Sequence, residues 1–117
     1  MISHLVLMTP RPDLSDDERQ SFLALFERAL REIPDVRGVR IGRQVLHGAG
    51  YESLSNGGGQ YLAIIDFDDL AGLQAYLRHP AHEELGARFY AALSSAIVAD
   101  FDVAGIEGLE RLVRPTA

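Results

Sequence analysis

The chain has 117 residues, 47% of them hydrophobic and 24% charged, with a net charge of −6, which points to one globular domain large enough to bury a single core. Cysteine is absent, so disulfides, thiolate metal sites and a cysteine nucleophile are excluded, and a reducing, cytoplasmic setting is expected. All 11 basic residues are arginine, which excludes Schiff-base chemistry, and the acidic balance offers no long-range attraction to nucleic acid or to an anionic membrane.

Met1 leads directly into Ile-Ser-His-Leu-Val-Leu-Met, residues 2 to 8, a run of branched apolar residues that reads as a strand rather than a secretory leader. Thr9-Pro10-Arg11-Pro12 is expected to end it, because proline cannot donate to a sheet ladder. Ser15 followed by Glu18 is a capping box, and Asp16 and Asp17 complete an acidic first turn suited to the helix dipole. Phe22, Phe26, Ala29, Leu30 and Ile33 recur at helical spacing, and Ile33-Pro34 stops the helix.

Residues 36 to 47 read as a second strand with arginines at alternate positions, the pattern of an edge with one wet face. Residues 48 to 59 form a loop whose run Gly57-Gly58-Gly59 is expected to be mobile. No lysine follows those glycines and a strand comes next, so a phosphate-cradling loop is excluded. Residues 60 to 67 are an almost unbroken apolar strand. Asp69 caps a helix with Leu70, Leu73, Tyr76 and Leu77 on one face, and His79-Pro80 interrupts it. Proline is well placed to start a new helix, predicted from Pro80 to about Leu93. A fourth strand spans residues 96 to 103, followed by a weakly amphipathic tail from 106 to 113. No apolar run reaches the about 20 residues needed to cross a bilayer.

The order β-α-β-β-α-β predicts an α+β, ferredoxin-like domain: a four-stranded antiparallel sheet with helices on one face. The other face should then be polar if it meets water. It is not. In the first strand Ile2, His4, Val6 and Met8 oppose Ser3, Leu5 and Leu7; in the third, Tyr61, Ala63, Ile65 and Phe67 oppose Leu62 and Ile64. Each large apolar side chain left in water forgoes roughly 1.5–3 kcal/mol, so the bare face predicts a homodimer that packs this surface against its copy.

The opening Ile2-Ser3-His4-Leu5-Val6, the Ile33-Pro34 stop, the segment Tyr76-Leu77-Arg78-His79-Pro80-Ala81-His82 and Asp100-Phe101 together resemble the stress-responsive α/β-barrel family, also called Dabb. The resemblance covers about residues 1 to 102, which sets a domain at 1–103 and a C-terminal tail at 104–117. It implies a dimeric α+β barrel. Its enzymatic members include, more distantly, plant polyketide (olivetolic acid) cyclases, which close a linear polyketide acid by aldol condensation without cofactor or metal. The resemblance implies that Tyr76 and His82 act together and that His4 lines the same pocket.

An aldol closure needs a base beside a carbonyl and a donor for the developing oxyanion. His82 suits the first role near neutral pH, Tyr76 the second, and His4 serves to position. An apolar pocket walled by Val6, Met8, Phe22, Phe26, Ala63, Ile65 and Leu93 is expected between sheet and helices, with His79 at its edge and capping the second helical segment. A metal site of His4, His79 and His82 lacks a placed carboxylate and has Pro80 between two of its members, so neither metal nor cofactor is expected. Asp100 and Asp102 read as strand-end or dimer-rim charges. Two functions stay open. One is a cofactor-independent enzyme or binder for a small organic molecule; the other is a non-catalytic dimeric module with a stress-related role. Oxygen-dependent oxidation of an aromatic substrate, known on related barrels, is a more distant third.

Overall fold

The computed structural model describes residues 1–54 and 60–114; the Gly57-Gly58-Gly59 run lies outside them. Strands β1 (Ile2–Pro10), β2 (Gly38–Arg43), β3 (Tyr61–Phe67) and β4 (Leu93–Asp102) form one antiparallel sheet in the order β2-β3-β1-β4. Helices α1 (Asp16–Glu32), α2 (Leu70–Arg78) and α3 (Pro80–Ala92) are connected to it in the order expected of a ferredoxin-like α+β fold. A short α4 (Leu109–Val113) ends the described chain. No helix among the described residues is long and apolar enough to cross a membrane.

Local chemistry explains the helix starts. The Ser15 hydroxyl accepts from the Glu18 amide at 3.1 Å, while the Ser15 amide donates to the Glu18 carboxylate at 3.2 Å, satisfying two orphan donors at once. Asp69 caps α2 more simply, its carboxylate accepting from the Gly72 amide at 2.9 Å and satisfying one orphan donor. The C-terminal end of α1 is Ile33, whose extended backbone is the conformation that a following proline imposes.

One face of the sheet is roofed. Val6 and Met8 from β1 and Ala63, Ile65 and Phe67 from β3 are buried against Phe22, Phe26 and Ala29 of α1, Leu73 and Tyr76 of α2, and Ala81 and Leu85 of α3. The opposite face has no helix over it. Leu5 and Leu7 stand beside Leu62 and Ile64 in the β1–β3 register, and β4 adds Ile97 and Phe101, which remain 51% and 49% exposed. Ser3, on the same face, donates to the Asp66 carboxylate at 2.5 Å.

Several strand boundaries differ from expectation. β2 ends at Arg43 rather than His47, because the Glu52 carboxylate captures the His47 and Gly48 amides, each at 2.8 Å. Those donors are satisfied locally, in a turn that leads into the 3-10 segment Gly50–Ser53, so no ladder is needed to hold them. β4 starts at Leu93 rather than at 96, directly after the last residue of α3. β1 also runs on to Pro10, where a register shift between Thr9 and Pro10 absorbs the missing donor.

Since α2 is only nine residues long, its cap carries a large share of its local stability. Asp69→Ala is expected to destabilise the protein by about 1 kcal/mol, and Asp69→Asn by much less because it keeps an acceptor. Urea denaturation checks this: the midpoint should fall for alanine with an unchanged slope.

Candidate active site

The break between α2 and α3 builds the site. His79 has φ −67° and ψ 140°, outside the helical region, and Pro80 opens α3. The His79 ring stays at the junction, its Nδ1 accepting from the Ala81 amide at 3.0 Å. Tyr76 in the last turn of α2 and His82 in the first turn of α3 are thereby set ring against ring, 4.7 Å between centroids. His4 comes from the centre of the sheet, 5.9 Å from Tyr76 in an edge-on arrangement. Phe67 closes the far side of the tyrosine at 5.1 Å.

These rings face a cavity of about 210 Å³ between sheet and helices. His4, Val6, Phe26, Tyr76 and His82 line it together with Leu77, Leu85, Gly86, Phe89, Tyr90 and Val98. Met8, Phe22, Ala63, Ile65 and Leu93 are not wall residues but members of the packed core, and His79 serves the helix junction. Helical and strand periodicity identified the covered face correctly; they carry no information on which of its residues pack solidly and which border a void.

The polar groups are few and differ in their support. His4 is buried and its Nδ1 lies 2.5 Å from Asp100 Oδ1. A carboxylate only accepts, so in the neutral ring Nδ1 carries the hydrogen and Nε2 the lone pair. Asp100 is therefore tied to this cluster through His4, a pairing that the strand-end or dimer-rim reading did not include. The signal for it is the pairing of β1 with β4, which places Asp100 directly across from His4. Tyr76 is 1% exposed, and burial pushes its hydroxyl up to about 12, so it remains a proton donor throughout the neutral range. Among the described residues no hydrogen bond to that hydroxyl occurs, and the oxygen itself is not fully enclosed, since Arg11 Nε is the one fully buried side-chain atom there without a partner. Burial holds the His82 imidazole below the ordinary histidine value, and the neighbouring His4 adds to the depression. A hydrogen bond to the Leu77 backbone and the charge of Glu83 oppose both without reversing them.

No group of three or more histidine, cysteine or acidic side chains placed to hold a metal ion occurs among the described residues. The arrangement is instead one of proton-transfer groups: two imidazoles flanking a phenol at the end of a largely apolar space.

Residues 2–103 match the model of the stress responsive A/B barrel domain, Dabb. Among solved structures, a protein from Arabidopsis thaliana is similar over 91% of this chain and 98% of its own, at 17% identity and a TM-score of 0.72. A dimeric ferredoxin-like protein of unknown function from Jannaschia sp. covers 87% and 98%, at 24% identity and 0.67. The hydroxynitrile lyase from Passiflora edulis covers 89% and 94%, at 14% identity and 0.73. At these identities the likeness is one of fold. No curated protein matches the sequence significantly.

The His82 environment makes stability depend on pH. The folded state holds this ring below its unfolded value, so the unfolded chain binds the proton more readily below about pH 6.5. Stability contributed by neutral His82 is thus complete above that pH and is lost as pH falls toward the folded value. His82→Gln is expected to flatten this part of the stability–pH curve, measured by urea denaturation between pH 7 and pH 5, and the His82 ring of the native protein should titrate below 6.5 by NMR.

Proposed function

The chain belongs to the stress-responsive A/B barrel (Dabb) family, and we propose that it is a cofactor-independent acid/base catalyst acting on a small, mostly apolar molecule with a carbonyl or hydroxyl oxygen. The observation that carries this reading is the Tyr76 hydroxyl, protonated, without a partner among the described residues and open at its tip to a cavity that also receives two imidazoles. A ligand oxygen that accepts from Tyr76 supplies the partner this hydroxyl lacks among the described residues.

The roles follow from the supports. His4 is the better placed base: Nε2 holds the lone pair, and Asp100 sits at 2.5 Å to compensate the charge when the ring takes a proton. That reverses the assignment expected from side-chain chemistry in the sequence, with His82 as the base and His4 as the positioning group. His82, held neutral by burial and tied to the Leu77 backbone, supplies a fixed polar contact beside Tyr76. Tyr76 donates to the oxygen on which negative charge develops as a proton leaves the neighbouring carbon. The 210 Å³ cavity lies below the about 300–1,000 Å³ of most ligand pockets, which argues for a substrate of roughly one ring and against a long polyketide. Hydroxynitrile lyase activity in a structural neighbour is compatible with substrates of that size.

Exchange of the methyl protons of acetophenone in D2O, followed by NMR, reads base catalysis without knowledge of the natural product. The wild type is expected to accelerate it, and Tyr76→Phe, His4→Gln and Asp100→Asn each to slow it by about 10²-fold or more. Tyr76→Phe should leave stability within about 0.5 kcal/mol, since its hydroxyl holds nothing in the free protein. Exchange unaltered by Tyr76→Phe and His4→Gln rejects the reading. A wild type that neither binds nor exchanges any small aryl ketone favours the non-catalytic module instead.

We further propose that the unroofed sheet face is a homodimer interface. Its apolar side chains Leu5, Leu7, Leu62, Ile64, Ile97 and Phe101 support this, as does the dimeric description of similar folds. Ile97→Arg places a charge on a side chain that is already half in water in one subunit, so folding should survive while association does not. Sedimentation equilibrium should show a wild-type dimer at micromolar concentration and a monomeric variant; a monomeric wild type refutes the interface.

A further inference from the structure

Gly86 lies in the middle of α3, where glycine is the least favourable residue after proline. The same helix uses alanine at positions 81, 87, 91 and 92. The usual reasons for a helical glycine are absent. Gly48 is the only glycine among the described residues with a positive φ, so Gly86 has an ordinary helical backbone. Nothing among the described residues lies within 4 Å of where its Cβ would be, so no packing within the subunit demands close approach there. Nor is it at a terminus of α3.

Its remaining distinction is position. Gly86 is one turn beyond His82 and one turn before Tyr90, and all three line the cavity with Val98 of β4. Leu85, the preceding residue, is buried in the core, whereas Gly86, Tyr90 and Val98 are exposed. The helix therefore passes from solid packing to open space within one residue, on the side where the cavity meets solvent.

We propose that Gly86 is a specificity-determining residue: the missing side chain is the port between α3 and β4, and it sets the width of the ligand that can reach Tyr76. A flat molecule one ring wide, with its oxygen leading, fits that port. The chemistry of the leading oxygen rests on the acid/base reading above; the port itself does not.

Gly86→Ala and Gly86→Leu in the full chain test this, with xenon as a chemically neutral probe of the cavity and acetophenone and 4-butylacetophenone as polar-tipped ones. Gly86→Ala should raise the melting temperature by roughly 2–6 °C and weaken the butyl compound more than its parent. Gly86→Leu should lower xenon occupancy and weaken acetophenone binding by about tenfold or more. If the leucine variant does not fold, the alanine ranking of the two ketones decides. A leucine variant that takes xenon and acetophenone like the wild type, or an alanine variant that is less stable, overturns the inference. Loss of xenon in the leucine variant, with a wild type that ignores both ketones, upholds the port and rejects the acid/base reading. A wild type that admits neither probe refutes both.

Discussion

The ring of Pro80 crowds the backbone of the residue before it, and His79 is forced out of the helical region. Without that constraint α2 and α3 would be one continuous rod. Residues 76 and 82 would then sit six positions apart on it, about 120° or a third of a turn away from sharing a face. With it, the chain turns over a single residue, and the end of one helix and the start of the next present their rings to each other at 4.7 Å. The break also leaves the amides at the start of α3 in need of acceptors, and the His79 side chain meets one of them. The constraint that assembles the site is thus also locally satisfied, at no expense to the packed core beneath it.

The sheet contributes the complementary half. A central strand is the most rigid place from which to project a side chain, and β1 holds His4 between β3 on one side and β4 on the other. Its carboxylate partner comes from the neighbouring strand at the directly opposed position, so ring orientation is determined by ladder geometry and not by a mobile loop. Around these few polar atoms the walls are almost wholly apolar, which strengthens every electrostatic interaction among them. It also explains the opposite tendencies of the two titrating groups, burial raising the phenol and lowering the imidazole.

Much of this arrangement was legible in the residues. Capping at Ser15 and Asp69 and the stop at Pro34 were readable because each depends on side chains within three or four positions. So were the two apolar faces of β1 and β3, where a period of two leaves little ambiguity. The composition of the Tyr76–His82 segment pointed to a site, and the helix break explained how its members meet. The pairing of Asp100 with His4 was not legible because it depends on strand register, a long-range property that local pattern does not contain. Met8, Ala63 and Ile65 were misplaced for a related reason: they face the right way, but depth within a core is decided by neighbours distant in sequence. The early end of β2 has a local cause after all, in the Glu52 carboxylate, yet it acts across a loop whose conformation had no sequence signature.

The direct passage from α3 into β4, with Ala92 followed at once by Leu93, has a mechanical consequence. A helix pinned at its last residue to a strand that is itself locked in a ladder cannot slide along the sheet. Its first residue is tied in turn to α2 through His79 alone, and Ala81 and Leu85 near that end are buried. The helix is thus clamped at both ends, like a rung between two rails, and its cavity-lining side chains keep their distance from β4 at one end and from Tyr76 at the other.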